Sequence, residues 1–380
     1  MHVGDTIREL CSFGGRGAGT DAERRAALRL ADDLGERGHD AWVETNWVHP
    51  AWALTVALAA LLGLVASLVS VAVPLAGVLL GAFAALCLAL EALGGTSPLR
   101  LLTRRRATQN VLALPERPEG VTLLIVAPYD APRRGLVLND RWRALAVRLR
   151  NVRAWLALCA LVVAGASAAR LSGIDAIWLG ALQLVPTVAL IVALAAALDI
   201  ALSEYSPGAG SASAAAVALA VHEELVREAP EALTPALVLY GAGASGPHAL
   251  RAQLRRERAA PLRTVVLELG PCTGGSPAWA SRHPQLRRAA EVASAALELP
   301  PAARRRGRVR HPLGVRRIPA LRIACLDQRG LAARSHQPDD TAGATDPAVA
   351  TAALDLALGI ADALDAELSA REAKAAPAGG

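Results

Sequence analysis

Residues 51–73 read AWALTVALAALLGLVASLVSVAV, 23 residues without a charge. About 20 apolar residues suffice to span a bilayer. After Pro74 a second run, LAGVLLGAFAALCLALEAL at 75–93, carries one acid, Glu91, near its end. Residues 154–169, AWLALCALVVAGASAA, precede Arg170 and a polar turn, and 177–198, IWLGALQLVPTVALIVALAAAL, ends at Asp199. Trp52, Trp155 and Trp178 each open a run, where interfacial aromatics belong. Buried helices of a large soluble protein are the competing reading, but uncharged runs this long favour spans. The third run is the shortest and needs Arg170 to snorkel. The sequence therefore predicts four transmembrane helices in two hairpins, at 51–93 and 154–200.

Composition agrees with concentrated hydrophobicity. The 380 residues are 53% hydrophobic but only 3% aromatic, so small aliphatic residues supply the apolar bulk. Such a chain is too apolar for disorder, and five cysteines are too few for a disulfide scaffold. Lys374 is the sole lysine among forty basic residues, which points to coding bias as well as chemistry.

Two hairpins return the chain to one side, so all polar sequence shares a compartment. That side carries Arg100, Arg104, Arg105, Arg106, Arg148, Arg150 and Arg153, whereas the turns near Val73 and at 170–176 are nearly free of positive charge. Positive flanks mark the cytoplasmic side. The first 50 residues show no basic-then-apolar leader, so no signal peptide is expected. The scattered cysteines, with Cys87 and Cys159 inside apolar runs, fit a reducing compartment. The expected location is the cell membrane, multi-pass, with the polar domain in the cytoplasm.

The remaining sequence, 1–50, 94–153 and 201–370, alternates helix and strand patterns and is expected to form one discontinuous α/β domain, with 371–380 a flexible tail. Thr20-Asp21-Ala22-Glu23 is a capping-box start for a helix to Gly35. Strand-like runs stand at 41–45, 110–114, 121–127 (VTLLIVA), 236–240 (ALVLY), 263–269 (RTVVLEL) and 319–324. Helical patterns stand at 211–227, 246–258, 284–298 and, long and amphipathic, at 347–368. Strands apolar on both faces predict a mostly parallel mixed sheet covered by helices. Ligands bind such sheets beyond the carboxyl ends of the strands.

Those ends carry Pro128-Tyr129-Asp130, Ser206-Pro207-Gly208-Ala209-Gly210-Ser211, Gly241-Ala242-Gly243-Ala244-Ser245-Gly246, Glu268, and Ser335-His336-Gln337-Pro338-Asp339-Asp340-Thr341. In this order the framework resembles the M28 family of zinc aminopeptidases, with a zinc-exopeptidase-like fold that binds two metals at strand ends. The opening RGAGTDAERRAALRLADDLGERGHDAWVE at 16–44 also resembles that family's first helix and strand. The resemblance covers nearly all the polar sequence, and His-x-Pro-Asp-Asp-Thr is its most specific motif.

Carried over position by position, the resemblance implies a degraded metal site. The family's His-x-Asp becomes Pro128-Tyr129-Asp130, keeping the orienting acid and losing the ligand. The bridging Asp falls at Ser211, and the general base and its neighbouring ligand glutamate fall at Gly243 and Ala244. Glu268 and His336 remain as metal-ligand remnants, and in the family those two positions serve different metals. A catalytic zinc needs about three protein ligands, two close metals need a bridging group, and a base must reach its water. The sequence thus predicts a pseudopeptidase with a binding or assembly role and no cofactor. The alternatives are a working zinc aminopeptidase with replaced ligands, and a membrane scaffold whose α/β domain takes no ligand.

Other groups do not restore the chemistry. His222-Glu223-Glu224 lacks a second His at metalloprotease spacing and reads as a solvated face. His248, His283 and His311 stand beside arginines and read as surface residues. Ser211 and Ser245 lack a nucleophile elbow. Cys272 reads as a buried thiol, and GAGASG lacks the lysine of a phosphate loop. The arginines at 304, 305, 306, 308, 310, 316 and 317 lack the aromatic platforms of nucleic-acid binding. They suit anionic lipid headgroups or simply replace lysine in the same coding bias. Glu91, Gln183 and Asp199 are too few and too terminal for a transport path. The expected partners are the lipid bilayer, anionic lipid headgroups and a peptide or protein, with no nucleic acid.

Overall fold

A computed structural model describes residues 3–116, 120–149, 151–174, 176–257, 264–299 and 318–375. Arg150, Arg263, His311 and the arginines at 304–317 lie outside the described residues, as does the side chain of Arg148. In chain order the elements are α1 (Val3–Ser12), α2 (Asp21–Glu36), β1 (Ala41–Val48), α3 (Trp52–Val69), α4 (Pro74–Ala92), the single turn α5 (Pro98–Leu101), β2 (Arg106–Ala113), β3 (Val121–Pro128), α6 (Asp140–Arg148), α7 (Val152–Leu171) and α8 (Ile177–Leu202). There follow α9 (Ala209–Glu228), β4 (Leu233–Tyr240), α10 (His248–Glu257), β5 (Thr264–Leu269), β6 (Ser276–Ser281), α11 (Pro284–Ala296), β7 (Ala320–Leu326) and α12 (Pro347–Ala375). The chain divides into two compact units, one of residues 1–48, 107–132 and 205–380, the other of 49–106 and 133–204.

The first unit is built on a seven-stranded sheet in the order β1-β2-β4-β3-β5-β7-β6. The central strands β4, β3, β5 and β7 run parallel, while β2 and β6 are antiparallel to β4 and β7. Alternation along β3 sends Leu123, Ile125 and Ala127 into one core with α1, α2, α9, α11 and α12. Leu124 and Val126 enter the other, with Leu250 and Leu254 of α10. Both faces of the strand are therefore dry, which is why VTLLIVA is a continuous apolar run. Thr20 caps α2 by accepting the Glu23 amide at 3.2 Å, the expected cap. Four elements carried no sequence expectation: α1, the single turn α5, the short α6, and the edge strand β6.

In the second unit α3 packs on α4 and α8, and α7 packs on α4 and α8. Small residues let the backbones approach. A Cβ on Gly81 would lie 3.1 Å from the Ala164 Cβ and 3.2 Å from its backbone nitrogen. The outward residues are apolar, including Leu68, Leu79, Val185 and Val192.

The count of candidate spans differs from the expected four. Five helices among the described residues are long and apolar enough to cross a membrane, the fifth being Pro347–Arg371 in α12. That helix buries Val349, Ala353, Leu356, Ile360 and Leu364 in the core beside the sheet. Its hydropathy comes from alanine and leucine on a core-facing stripe, so length and composition alone do not separate it from the other four. α12 runs on through Ala375.

Candidate functional site

The strand ends of the first unit gather buried carboxylates around the turn that follows β4. Asp130, just past β3, accepts the Gly243 amide at 2.6 Å through Oδ1 and the Ala244 amide at 3.1 Å through Oδ2. Glu23, from the first turn of α2, accepts the Ala242 amide at 2.9 Å, the Thr108 hydroxyl at 2.7 Å and the Gly19 amide at 2.6 Å. Three successive amides, 242 to 244, thus point at two carboxylates of the same chain. Such a row of N–H groups is an anion-binding concavity, and here the anions are side chains. Ala242 sits in the left-handed region, φ 57°, which turns the amides inward.

Both carboxyl groups titrate high. Burial lifts Asp130 to about 6, although the two amides and Arg16 favour its anion. Burial and then the charge of Asp130 lift Glu23 to about 8. Arg16, wholly buried, donates to the Tyr129 carbonyl at 3.1 Å, the Gly208 carbonyl at 3.0 Å and the Leu10 carbonyl. It thereby ties the segment before α2 to the turns after β3 and before α9. Burial lowers its pKa. The Tyr129 hydroxyl donates to the Gln109 carbonyl at 2.8 Å.

The positions where the resembling family keeps its ligands hold other things. Pro128 ends β3 opposite Tyr240. A Cβ on Gly243 would lie 2.5 Å from the Pro128 Cβ and 3.0 Å from Asp130 Oδ1 and the Tyr240 ring, so the backbone leaves no room for a side chain there. Ser211, in the first turn of α9, donates back to the Gly208 carbonyl at 3.1 Å. Glu268 lies on β5 directly opposite Arg322 of β7, with a guanidinium nitrogen 3.5 Å from its Oε1. The Tyr240 hydroxyl is 3.4 Å from the same oxygen, and Oε2 is buried without a hydrogen bond.

Tyr240 stands between the two acids. Burial, then the charge of Glu268, raise its pKa, and Asp130 adds to the rise. His336 lies on the loop between β7 and α12 with a left-handed backbone, φ 67°. The motif it opens has a structural role at Asp340, which accepts the Gly210 amide at 2.9 Å and fixes the start of α9. Among the described residues no group of three or more His, Cys, Asp or Glu side chains is placed to hold a metal ion. The structure brings Asp130 and Glu268 to neighbouring strand ends without joining them to His336 in such a group.

Glu23 and Arg16 carried no functional expectation. Glu23 reads locally as a capping-box acid, and only the fold shows its carboxylate reaching β2 and the turn after β4. His222 corrects its reading as part of a solvated face. It is buried on α9 with its ring 5.1 Å from that of His39, and burial depresses its pKa to about 4. Cys272 is buried as expected and donates to the Gly270 carbonyl at 3.2 Å.

No sequence-family model matches the chain, and no curated protein matches it significantly. Solved structures do match in fold. Glutaminyl cyclase of Porphyromonas gingivalis superposes with a TM-score of 0.53 at 12% identity, over 95% of this chain and 96% of that one. A Zn-dependent exopeptidase from Parabacteroides distasonis gives 0.53 at 11% identity, over 94% and 95%. The zinc aminopeptidase BSAP of Bacillus subtilis gives 0.52 at 11%, over 95% and 94%. At these identities the likeness is one of fold. The α/β unit has the zinc-exopeptidase-like architecture that the motif order implied, and glutaminyl cyclases share it.

Proposed function

We propose that the chain is an integral membrane protein whose exopeptidase-like unit carries out no metal hydrolysis and serves in binding or assembly. The single observation that carries this reading is the turn at 242–244. Its amides are engaged by Glu23 and Asp130, and Gly243 has no space for the carboxylate a general base would need. The donor set does not fit a zinc pair. Asp130 is turned onto amides, Ser211 onto its own helix, and Glu268 is paired with a guanidinium. A carboxylate so neutralised is a poor ligand, and a site needs about three.

The membrane part of the proposal is two hairpins, α3 with α4 and α7 with α8. Their apolar outer faces support it, as does the core packing of the fifth apolar helix, α12. Arg100, Arg104 and Arg153 flank the ends opposite the short turns, which supports a cytoplasmic α/β unit.

The competing reading, a zinc hydrolase with replaced ligands, draws on the unpartnered Oε2 of Glu268. Metal analysis of the purified full chain, with an aminoacyl-p-nitroanilide assay, separates the two. The expected outcome is substoichiometric zinc and no turnover. Stoichiometric zinc, or turnover abolished by His336→Ala, overturns the proposal.

A further inference from the structure

The short helix α6 is held at one end of the four-helix unit. A single 3-10 turn, Leu136–Leu138, leads into it. That leading end is tied to α8: the Leu136 amide donates to Asp199 Oδ2 at 2.6 Å, in the last turn of α8. The Arg134 amide donates to the Glu204 carbonyl at 2.8 Å, just beyond the same helix. The trailing end is tied to α7. Leu149 continues α6, its amide donating to the Leu145 carbonyl at 3.0 Å, and its own carbonyl accepts the Trp155 indole N–H at 3.2 Å. Trp155 stands in the first turn of α7. A short turn joins α7 to α8, so the start of α7 and the end of α8 lie at the same end of the bundle. A nine-residue helix is only about 14 Å long. Pinned at both ends, α6 stays at that level.

Its faces are reversed. Trp142, Leu145 and Leu149 recur at the three- and four-residue spacing that lines one side of a helix, and they are 50%, 43% and 40% exposed. Leu136, on the preceding turn, is 80% exposed. Arg143 and Ala144, on other sides of the helix, are half-buried. A surface helix of a soluble domain turns its apolar stripe to the core; α6 turns its stripe outward. The exposed Arg141 borders the stripe, its guanidinium 6.0 Å from the centre of the Trp142 ring. Residues 133–150 contain six arginines and one acid, Asp140. Tryptophan and leucine on one face, with arginines beside them, is the pattern of a helix lying in a membrane interface.

We infer that α6 is an interfacial helix, lying on the bilayer surface with Trp142, Leu145 and Leu149 inserted among the acyl chains. The bilayer is the occupant of this stripe because the stripe continues into the exposed apolar surface of α7. Leu149 is bonded to Trp155, and Trp155 and Leu158 are themselves 53% and 47% exposed. The excess of arginine over acid in the segment suits the headgroup level of an anionic leaflet. In this position α6 fixes the depth at which the chain enters the second hairpin. The inference rests on the membrane reading above.

The test places photoreactive p-benzoylphenylalanine in the full chain, one position at a time, in nanodiscs of phosphatidylcholine and phosphatidylglycerol. The intact mass is read after irradiation. In place of Leu145 the probe is expected to add the mass of one phospholipid, as it should in place of Leu158 on α7. If the Leu145 variant does not fold, Trp142 carries the same test, an aromatic-for-aromatic change on an exposed side chain. In place of Asp140, on the opposite face of α6, the lipid adduct should be severalfold weaker. Crosslinks from 142 or 145 to a second copy or to another segment of the chain overturn the inference. So does an equal lipid yield from Asp140, or no lipid adduct at 142 and 145 while Leu158 gives one. No lipid adduct at Leu158, with the chain recovered in the soluble fraction after carbonate washing, overturns the membrane reading itself.

Discussion

A carboxylate cannot be restored at position 243 by substitution alone, because the backbone lies against Pro128 and the amides of 243 and 244 are already bonded to Asp130. On the proposed reading, position 243 lacks space as well as a side chain, and only the lack of space could not be read from the sequence. His222 makes a different residue-scale point. Its folded pKa of about 4 lies below the ordinary value of 6.5, so the unfolded chain binds more protons between these values. Its contribution to stability is full above pH 6.5 and is lost as pH falls toward 4, by about 3 kcal/mol in total. Asp130, lifted to about 6, works in the opposite direction over much of that range. The measurement is therefore the difference in stability slope between wild type and His222→Gln. Unfolding between pH 4 and 7 should show wild type losing more on acidification than the variant; parallel slopes would refute the assignment. The sequence hid this histidine because its neighbours Glu223 and Glu224 are polar. One helix turns three successive residues to different surroundings.

At the scale of elements, the hairpins and most of the strand–helix alternation were legible because burial on two faces and span length leave strong apolar runs. β3 is a nearly continuous apolar strand, β5 is apolar apart from Thr264 and Glu268, and α2 has its cap. α6 and β6 were not legible, being short and weakly patterned. β6 reads Ser-Pro-Ala-Trp-Ala-Ser, and its place at the sheet edge comes from pairing with β7. Of the site, Asp130 and Glu268 were legible as positions. Their partners Gly243, Ala244 and Arg322 were not, since cross-strand register decides them. The bundle offers a sharper test of packing. Gly81→Ala places its methyl against the Ala164 backbone, which cannot move aside as a side chain can, and should destabilise by about 1–3 kcal/mol. Gly165→Ala points into open space and should be neutral or stabilising. Thermal unfolding of the two variants in the same nanodisc should show a lower Tm for the first alone.

For the whole molecule, the arrangement of arginines predicts which compartment each surface meets. A cysteine at Ser172, in the short turn after α7, should react with a membrane-impermeant maleimide on intact cells. One at Asp32 of α2 should react only after lysis. The reverse pattern would place the α/β unit outside. The sheet order has a consequence for synthesis. β3 finds its neighbours β4 and β5 only after the second hairpin has been made, and β2 pairs with the same late strand β4. The strand VTLLIVA must therefore stay unpaired while α6, α7, α8 and α9 are made. At about 5–20 residues per second, the wait from β3 to β5 is roughly ten seconds. Over that interval a strongly apolar strand is exposed near a translocating ribosome, so the nascent chain is a candidate for chaperone protection before the finished protein has any function to perform.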